Sequence, residues 1–311
     1  MAGMRLLAIG EILWDVINGV ETLGGAPLNF SAAVQRLGNS AFLLSGVGAD
    51  QLGMRALNSM GSLGLPTDFV QVRQRSDTGT ALVTTDNDGN TQFYIKRPSA
   101  FDEVEVTAER MLAIEALQPE WIYFGTLAQS NRSREEFLFR LSQKLPSAKY
   151  FYDINLRDGH WNLQLVERLS RLASIVKMNE AEAMQLSELT QPRRVFSLEE
   201  LCRYWASKYD VKTNCVTLGN QGCAVFADDF LRYFHGYKVK VIDTVGAGDA
   251  FAAGFLHGFH SQWTIVESAA FANALGALVA SLPGATPPWT VAECRRLILN
   301  RSNSQNDSSA D

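Results

Sequence analysis

Short apolar runs rich in β-branched and aromatic residues alternate with helical patterns along most of this chain. Such alternation predicts a mostly parallel sheet with helices on both faces, whose ligands bind at the carboxyl ends of the strands. The predicted strands are Arg5–Gly10, Ala41–Val47, Trp121–Gly125, Ala148–Asp153, Ile175–Met178, Asn214–Leu218 and Cys223–Ala227. The predicted helices are Pro27–Leu37, Gln51–Leu63, Ala108–Ala116, Arg134–Leu145, Leu163–Leu172, Asn179–Ser187, Leu198–Tyr209, Ala247–His260 and Ile265–Leu282.

Composition and charge exclude several classes of protein. The net charge is −5 and the basic residues form no cluster, which argues against a nucleic-acid partner. No apolar run is long enough to span a membrane, and Glu11 and Asp15 come too early for a signal peptide. The four cysteines form no Cys-x-x-Cys pair, so zinc and a disulfide framework are not expected. These features predict a cytoplasmic protein.

Two segments interrupt the alternation of strands and helices. Thr80–Thr85 and Thr91–Lys96 are β-rich, and the turn-forming run Asp86–Asn90 joins them into a predicted hairpin. Together with the extended segment Leu13–Thr22, this hairpin predicts a small sheet that stands off the main body. Such a sheet is suited to be a lid over a ligand, a dimer contact, or both. The tail Asn300–Asp311 carries no large apolar residue and is expected to be disordered.

A glycine-rich run, Asp243–Phe251, carries the strongest chemical signal. It follows a predicted apolar strand, Lys238–Ile242, and opens a helix. Gly246 and Gly248 permit a tight turn at a helix N-terminus, where free N–H groups and the helix dipole attract an anion. Asp249 places a carboxylate beside this cradle, where it could accept a proton. The alternative is an ordinary glycine-rich turn with a first-turn carboxylate.

A second signal is the run Leu23–Phe30, in which Gly24-Gly25 precede a proline at a helix start. Asn29 in the first helical turn could hydrogen-bond the hydroxyls of a ligand, or it could simply cap the helix. The chain contains neither a Walker A loop nor a Gly-x-Gly-x-x-Gly run after the first strand, which argues against those nucleotide-binding folds.

These motifs, taken in order, resemble those of the ribokinase-like (pfkB) carbohydrate kinases from Leu6 to about Ala285. The matching runs are Gly24-Gly25 with Asn29, Ser45–Gly53, Asn179–Glu182, Thr217–Gly222 and Asp243–Phe255. The resemblance implies a three-layer α/β/α sandwich with a mostly parallel central sheet and a small β-sheet lid. It also implies one kinase domain over residues 1–299, with the lid formed by about 12–23 and 79–98 and a tail at 300–311.

The resemblance further implies a role for each matching residue. Asp249 would be the catalytic base, beside an anion hole made by the N–H groups of Ala247, Gly248 and Asp249, with Gly246 permitting the turn. Asp15, Gly25 and Asn29 would hold the sugar. The residues expected around ATP are Thr217, Gly219 and Gly222 at its phosphates and Asn273, Gly276 and Gly284 near its adenine.

Metal ions are also implied by the resemblance. Asn179 and Glu182 would act on Mg²⁺ through water, since magnesium keeps much of its hydration shell. Many relatives bind a monovalent cation, which here would be K⁺ held by the backbone of Asp243 and Val245. The expected ligands are therefore ATP, Mg²⁺, a sugar and in addition K⁺, with a homodimer through the lid as a further expectation.

The identity of the sugar is left open by the residues. The run Tyr152–Trp161 resembles the Asp-x-Asn-x-Arg run of fructokinases and 2-keto-3-deoxygluconate kinases. Its Arg157 could pair with phosphate oxygens, or it could form a structural salt bridge. Tyr94 and Arg97, at the end of the lid hairpin, could read a sugar hydroxyl or a carboxylate. The leading hypothesis is phosphorylation of the 6-hydroxyl of D-fructose. The alternatives are 2-keto-3-deoxygluconate kinase, ribokinase, nucleoside kinase and a catalytically silent regulator.

Overall fold

The structure is a computed structural model that describes residues 3–17, 19–85, 91–192 and 194–307. Its strands are β1 (Arg5–Ile9), β2 (Leu13–Ile17), β3 (Val20–Gly24), β4 (Ser40–Gly48), β5 (Val70–Arg73), β6 (Gly79–Thr85), β7 (Thr91–Ile95), β8 (Trp121–Gly125), β9 (Lys149–Asp153), β10 (Ile175–Asn179), β11 (Thr213–Thr217), β12 (Gly222–Ala227) and β13 (Phe230–His235).

The helices alternate with these strands. They are α1 (Ala26–Arg36), α2 (Gln51–Ser62), α3 (Ala108–Leu117), α4 (Thr126–Gln129), α5 (Arg132–Lys144), α6 (Leu163–Ser170), α7 (Glu180–Thr190), α8 (Leu198–Tyr209), α9 (Ala247–His260), α10 (Ile265–Ala280) and α11 (Val291–Asp307).

The central sheet has nine strands in the order β13-β12-β11-β10-β9-β8-β1-β4-β5. The seven strands from β11 to β5 run parallel. At one edge, β12 pairs antiparallel with β11, and β13 pairs antiparallel with β12. This confirms the mostly parallel α/β sandwich. Because parallel strands all point the same way, the loops that follow them gather at one edge of the sheet.

Helices cover both faces of this sheet. On β1, Leu6 and Ala8 point into one core cluster, whereas Leu7 and Ile9 point into the other, as expected for a strand buried on both sides. The first cluster includes buried residues of α1, α9 and α10, and the second includes residues of α5 to α8. The α1 and α9 helices therefore lie together on one face, and their first turns reach the carboxyl edge of the sheet.

A second sheet of four strands, in the order β3-β2-β6-β7, confirms the predicted stand-off sheet. We call it the lid sheet. A small apolar cluster that includes Leu13, Ala81, Ile95 and Phe101 attaches it to Leu127 of the main body. The predicted turn Asp86–Asn90 lies outside the described residues.

One predicted strand is wrong. Lys238–Ile242 was expected to be a strand because apolar and basic residues alternate there, but the chain from 236 to 246 is irregular. Val241 and Ile242 are exposed, and the amides of Ile242 and Asp243 donate to the Ala280 carbonyl, at the end of α10, instead of to a strand. Among the described residues, Lys238–Ile242 pairs with no strand, and the central sheet ends at β13.

Several elements were not predicted, namely β5, β13, α4 and α11. The α11 helix continues to Asp307, into the tail that was expected to be disordered, and residues 308–311 lie outside the described residues. All four cysteines are buried and free. Within the described ranges, no helix is long and apolar enough to cross a membrane.

Candidate active site

The candidate site lies at the carboxyl edge of the central sheet, as the parallel topology predicts. Glu11 follows β1, Arg157 follows β9, Asn179 ends β10 and Thr217 ends β11. The first turn of α9 also reaches this edge, because α9 packs against α1 and α10. Residues that are far apart in the sequence are therefore brought together by strand order alone.

The first turn of α9 has the features of an anion cradle. Gly246 is its N-cap residue with a left-handed φ of 79°, and within residues 194–307 no side chain caps the turn. The Ala247 amide donates to the Thr244 carbonyl at 3.2 Å, which makes Gly248 and Asp249 the better amide donors for a ligand. A Cβ at Gly246 would collide with the carbonyl of Ala285, so only glycine allows this turn to pack against that loop.

Asp249 is oriented by a residue from another helix. The Asn29 side-chain amide donates to the Asp249 carboxylate at 2.9 Å, which rules out the interpretation of Asn29 as a helix cap. Burial, and then the charge of Asp153, raise the pKa of Asp249 to about 6, while Lys177, Asn29 and Arg157 lower it. A carboxylate with a pKa near 6 is largely ionised at neutral pH and is suited to accept a proton.

Two further carboxyl groups lie around the Gly24-Gly25 turn. A Cβ at Gly24 would collide with the Asp15 carboxylate, and one at Gly25 would lie 2.5 Å from the Glu11 carbonyl oxygen. Burial raises the pKa of Glu11 to about 7 and that of Asp15 to about 6. The two glycines therefore allow two acidic residues to pack against the turn that precedes α1.

Arg157 supplies positive charge to the same space. Its charge lowers the pKa values of Glu11, Asp15 and Asp249, so it acts electrostatically on all three carboxyl groups. One guanidinium nitrogen donates to the Leu156 carbonyl at 3.0 Å. The predicted residues Asp15, Gly25, Asn29, Arg157 and Asp249 are thus brought together.

Two predicted sugar-binding residues occupy other positions. Tyr94, on β7 of the lid sheet, is 68% exposed. Arg97 pairs with Asp102 and donates to the Leu127 carbonyl at 2.9 Å and to the Ser130 hydroxyl at 2.5 Å. Its effect on the pKa of Glu11 shows that it is near the site, although its guanidinium is held by the protein itself.

The Asn179-x-x-Glu182 motif forms a capping box at the start of α7. The Asn179 side chain accepts from the Glu182 amide at 2.9 Å, and a Glu182 oxygen accepts from the Asn179 amide at 2.8 Å. The other Glu182 oxygen accepts from the Leu156 amide at 2.8 Å. The motif therefore ties the loop that carries Arg157 to the end of β10.

The predicted nucleotide residues lie on the β11–β12 turn and on α10. Gly219 and Gly222 both have positive φ, and Thr217 precedes them at the end of β11. Asn273 donates to the carbonyl of Phe234 at 3.0 Å and is buried. A Cβ at Gly276 would lie 3.1 Å from the Ala247 carbonyl oxygen, so Gly276 lets α10 pack against the first turn of α9.

At the expected site of a monovalent cation, the Asp243 carboxylate connects two segments of the chain. One Asp243 oxygen accepts from the Val245 amide at 3.0 Å, and the other accepts from the Gly284 amide at 3.1 Å. Asp243, Val245 and Gly284 are therefore adjacent.

Comparison with known proteins identifies the family. The pfkB family carbohydrate kinase model matches residues 9–292. The chain belongs to this family. Fructokinase-1 of Oryza sativa subsp. japonica is 31% identical over an alignment 319 positions long, which covers 92% of this chain and 95% of the rice protein. The function of this carbohydrate kinase is thus transfer of a phosphoryl group to a hydroxyl.

Solved structures share the fold. The ATP-bound fructokinase of Xylella fastidiosa has a TM-score of 0.84 at 22% identity, covering 97% of this chain and 100% of that chain. A fructokinase double mutant of Vibrio cholerae O395, solved with fructose, ADP and a potassium ion bound, has a TM-score of 0.81 at 25% identity. It covers 96% of this chain and 99% of that chain. The three-layer sandwich and its lid are therefore confirmed for this kinase.

The described residues do not form a metal site from protein side chains alone. Within the described ranges, no group of three or more His, Cys, Asp or Glu side chains could hold an ion. Both Glu182 oxygens already accept backbone hydrogen bonds, and the residue is 6% exposed. These residues fit an ion that is held mainly by phosphate oxygens and water and that touches the protein through its hydration shell.

Four further residues shape the site without a role predicted from the sequence, namely Glu11, Tyr123, Asp153 and Lys177. Asp153 was present in the run that carries Arg157, and Glu11 precedes β2, but neither was assigned a role. Tyr123 and Lys177 occupy buried positions in β8 and β10, and only strand pairing shows that they meet Asp153. A polar residue inside an apolar strand was the available signal for Lys177.

Proposed function

We propose that this carbohydrate kinase is an ATP-dependent fructokinase that phosphorylates the 6-hydroxyl of D-fructose. The observation that carries the proposal is the hydrogen bond from Asn29 to Asp249, which fixes a carboxylate on the first turn of an uncapped helix. A base and an anion cradle thus occupy one helical turn, which is the arrangement that transfer of a phosphoryl group to a hydroxyl requires.

The proposed reaction uses these groups in a fixed order. Asp15, Gly25 and Asn29 bind the sugar and direct its 6-hydroxyl towards Asp249. As that oxygen bonds to the γ-phosphorus, its proton passes to the Asp249 carboxylate and the bond to the ADP oxygen breaks. The amides of Gly248 and Asp249 donate to the transferring phosphoryl oxygens, and the positive end of α9 opposes their charge.

The charges favour a neutral sugar over a sugar acid. Glu11, Asp15 and Asp249 place three carboxyl groups in the acceptor region, and Arg157 faces all of them. Arg97 is already paired with Asp102. The carboxylate of 2-keto-3-deoxygluconate would meet this acidic surface, whereas the hydroxyls of fructose can donate hydrogen bonds to it.

Two ions complete the proposal. Mg²⁺, held by ATP and by water near Asn179 and Glu182, would neutralise charge on the phosphates during transfer. K⁺ would bind beside the cradle, where the segment of Asp243 and Val245 meets Gly284 of the loop after α10. The bound potassium ion of the Vibrio fructokinase supports a cation in this family.

The proposal also covers the oligomeric state of the enzyme and its cellular compartment. Leu82 of β6 and Tyr94 of β7 pair on one face of the lid sheet, where they are 46% and 68% exposed, and we assign this face to a homodimer contact. Sedimentation velocity tests the dimer, and a monomer at micromolar concentration would contradict it. The four buried free thiols suit the reducing cytoplasm.

A coupled ADP-release assay tests the proposed substrate. Fructose, 2-keto-3-deoxygluconate, ribose, glucose and adenosine are compared by kcat/KM with Mg²⁺ and K⁺ present. Fructose is expected to give the highest value. A higher value for 2-keto-3-deoxygluconate would reject the charge argument. ADP release that no sugar stimulates would instead favour a silent regulator on the same scaffold.

A further inference from the structure

A buried ion pair lies behind the anion cradle. Lys177 of β10 and Asp153 at the end of β9 are opposite each other in the parallel strand pair, and they are 6% and 0% exposed. The Lys177 ammonium is 3.1 Å from each carboxylate oxygen of Asp153. The Tyr123 hydroxyl donates to Asp153 at 3.1 Å, which fixes the carboxylate from a third strand.

The ammonium also approaches the first turn of α9. A Cβ built on Gly248 would lie 3.4 Å from the Lys177 nitrogen, so the positive charge is directly behind one of the cradle residues. The positive charge of Lys177 also lowers the pKa of Asp249, so the ammonium acts electrostatically on this carboxylate. The pair is therefore in contact with the site and not only with the core.

Stability alone does not explain this pair. Removing two charges from water costs several kcal/mol per ion, and a well-packed apolar pair of similar volume is often as stable or more stable. A buried ion pair at the base of an anion site has a second use, because its cation adds to the positive potential at the helix N-terminus.

We propose that Lys177, held in place by Asp153, is a positioning residue that supplies a fixed positive charge beneath the anion cradle and beside the Asp249 carboxylate. This inference rests on the proposed phosphoryl-transfer function and adds to it a residue outside the motifs that identify the family. Lys177 acts through Gly248 and Asp249 and does not itself need to touch the sugar.

The two members of the pair act on Asp249 with opposite signs. The charged or polar groups that face Asp249 are Asp153, Lys177, Arg157, Asn29, Glu11 and Tyr123. Asp153 raises the pKa of Asp249 and Lys177 lowers it. Removing the cation should therefore raise that pKa, whereas removing the anion should lower it. A pair that does not act on the carboxylate would leave the pKa of Asp249 unchanged in both variants.

Carbon-13 NMR measures this effect without turnover. The protein is labelled at the aspartate side-chain carboxyl carbon, and the Asp249 resonance is assigned by its loss in Asp249→Asn. The pKa of Asp249 is expected near 6 in the unaltered enzyme. It should rise by about one unit or more in Lys177→Met and fall in Asp153→Asn. No movement, or movement in the same direction in both variants, overturns the inference.

Steady-state kinetics adds a second readout. Lys177→Met should lower kcat about 100-fold, the typical effect of losing a charge-stabilising group, and leave the KM for sugar within about threefold. Lys177→Arg, which keeps the charge, should retain most of kcat. The double variant Lys177→Met/Asp153→Asn replaces the ion pair by a neutral pair, and it should keep the fold but stay low in kcat.

The outcomes separate this inference from the proposed function. Full recovery of kcat in the double variant would mean that the pair is only structural. If Lys177→Met does not fold, the inference is tested by the kcat of the double variant and by the pKa of Asp249 in Asp153→Asn. If the unaltered enzyme phosphorylates no sugar, the proposed function fails, but the NMR titration still tests the charge beneath the cradle.

Discussion

Gly246→Ala tests whether the geometry of the cradle turn is essential. Alanine at φ 79° is strained by about 1–2 kcal/mol because its Cβ crowds the backbone in the left-handed region. The added Cβ would also collide with the Ala285 carbonyl and lie 2.8 Å from its carbon. Since both are backbone atoms, the loop after α10 that contains Gly284 and Ala285 has to move away from the first turn of α9.

Gly38→Ala is the matched control. Gly38 has a φ of 84°, but a Cβ there would meet no heavy atom within 4 Å. Both variants should therefore lose about 1–2 kcal/mol of unfolding free energy from backbone strain alone. Gly246→Ala should lose more, because the collision adds to the strain.

Activity distinguishes the two variants further. A displacement of about 1 Å at the cradle is enough to lower kcat about 100-fold, so Gly246→Ala should be nearly inactive at saturating sugar and ATP. Gly38→Ala should keep kcat within about twofold, since no site residue moves. Urea unfolding and coupled ADP release measure both quantities. Equal stability loss with unchanged kcat in Gly246→Ala would refute the account of the turn.

Two further predictions follow from the Asn29–Asp249 contact. Because Asp249 must be ionised to accept a proton and its pKa is raised to about 6, kcat/KM should be flat above neutral pH and fall about tenfold per pH unit below 6. If the fall in kcat/KM instead had its midpoint near pH 4, the pKa of Asp249 would not be raised by burial. Asn29→Ala should raise the KM for sugar more than that for ATP, and should move the acid limb to higher pH because a hydrogen bond to the ionised form is lost. A larger effect on the KM for ATP would remove Asn29 from the sugar pocket.

Much of the architecture could be predicted from the sequence because the pattern is periodic. Alternating strands and helices implied the parallel sheet, and the sheet in turn implied that the site lies at its carboxyl edge. The Gly246–Asp249 turn alone is also consistent with an ordinary glycine-rich turn, and it became informative because four other matching runs precede it in order. These inferences depend on local residues and on a topology that leaves few alternatives.

The remaining features depend on partners that a pattern does not specify. Lys238–Ile242 has the composition of a strand, but in the described part of the chain it joins neither sheet and its end is held by the Ala280 carbonyl. Asp153 and Lys177 meet only because β9 and β10 pair in one particular register. The missed α11 helix did have a local signal, since the Thr290 amide donates to Glu293 at 2.7 Å in the manner of a capping box.

Asp249→Asn tests the central claim most directly when binding and turnover are measured on the same folded protein. The Asn29 contact and the cradle amides remain, so calorimetry should give dissociation constants for fructose and ATP within about threefold of the unaltered enzyme. Turnover should fall at least about 1,000-fold, within the range attributed to a general base. Retained turnover, or equal losses of binding and turnover, would contradict the assignment of Asp249 as the base.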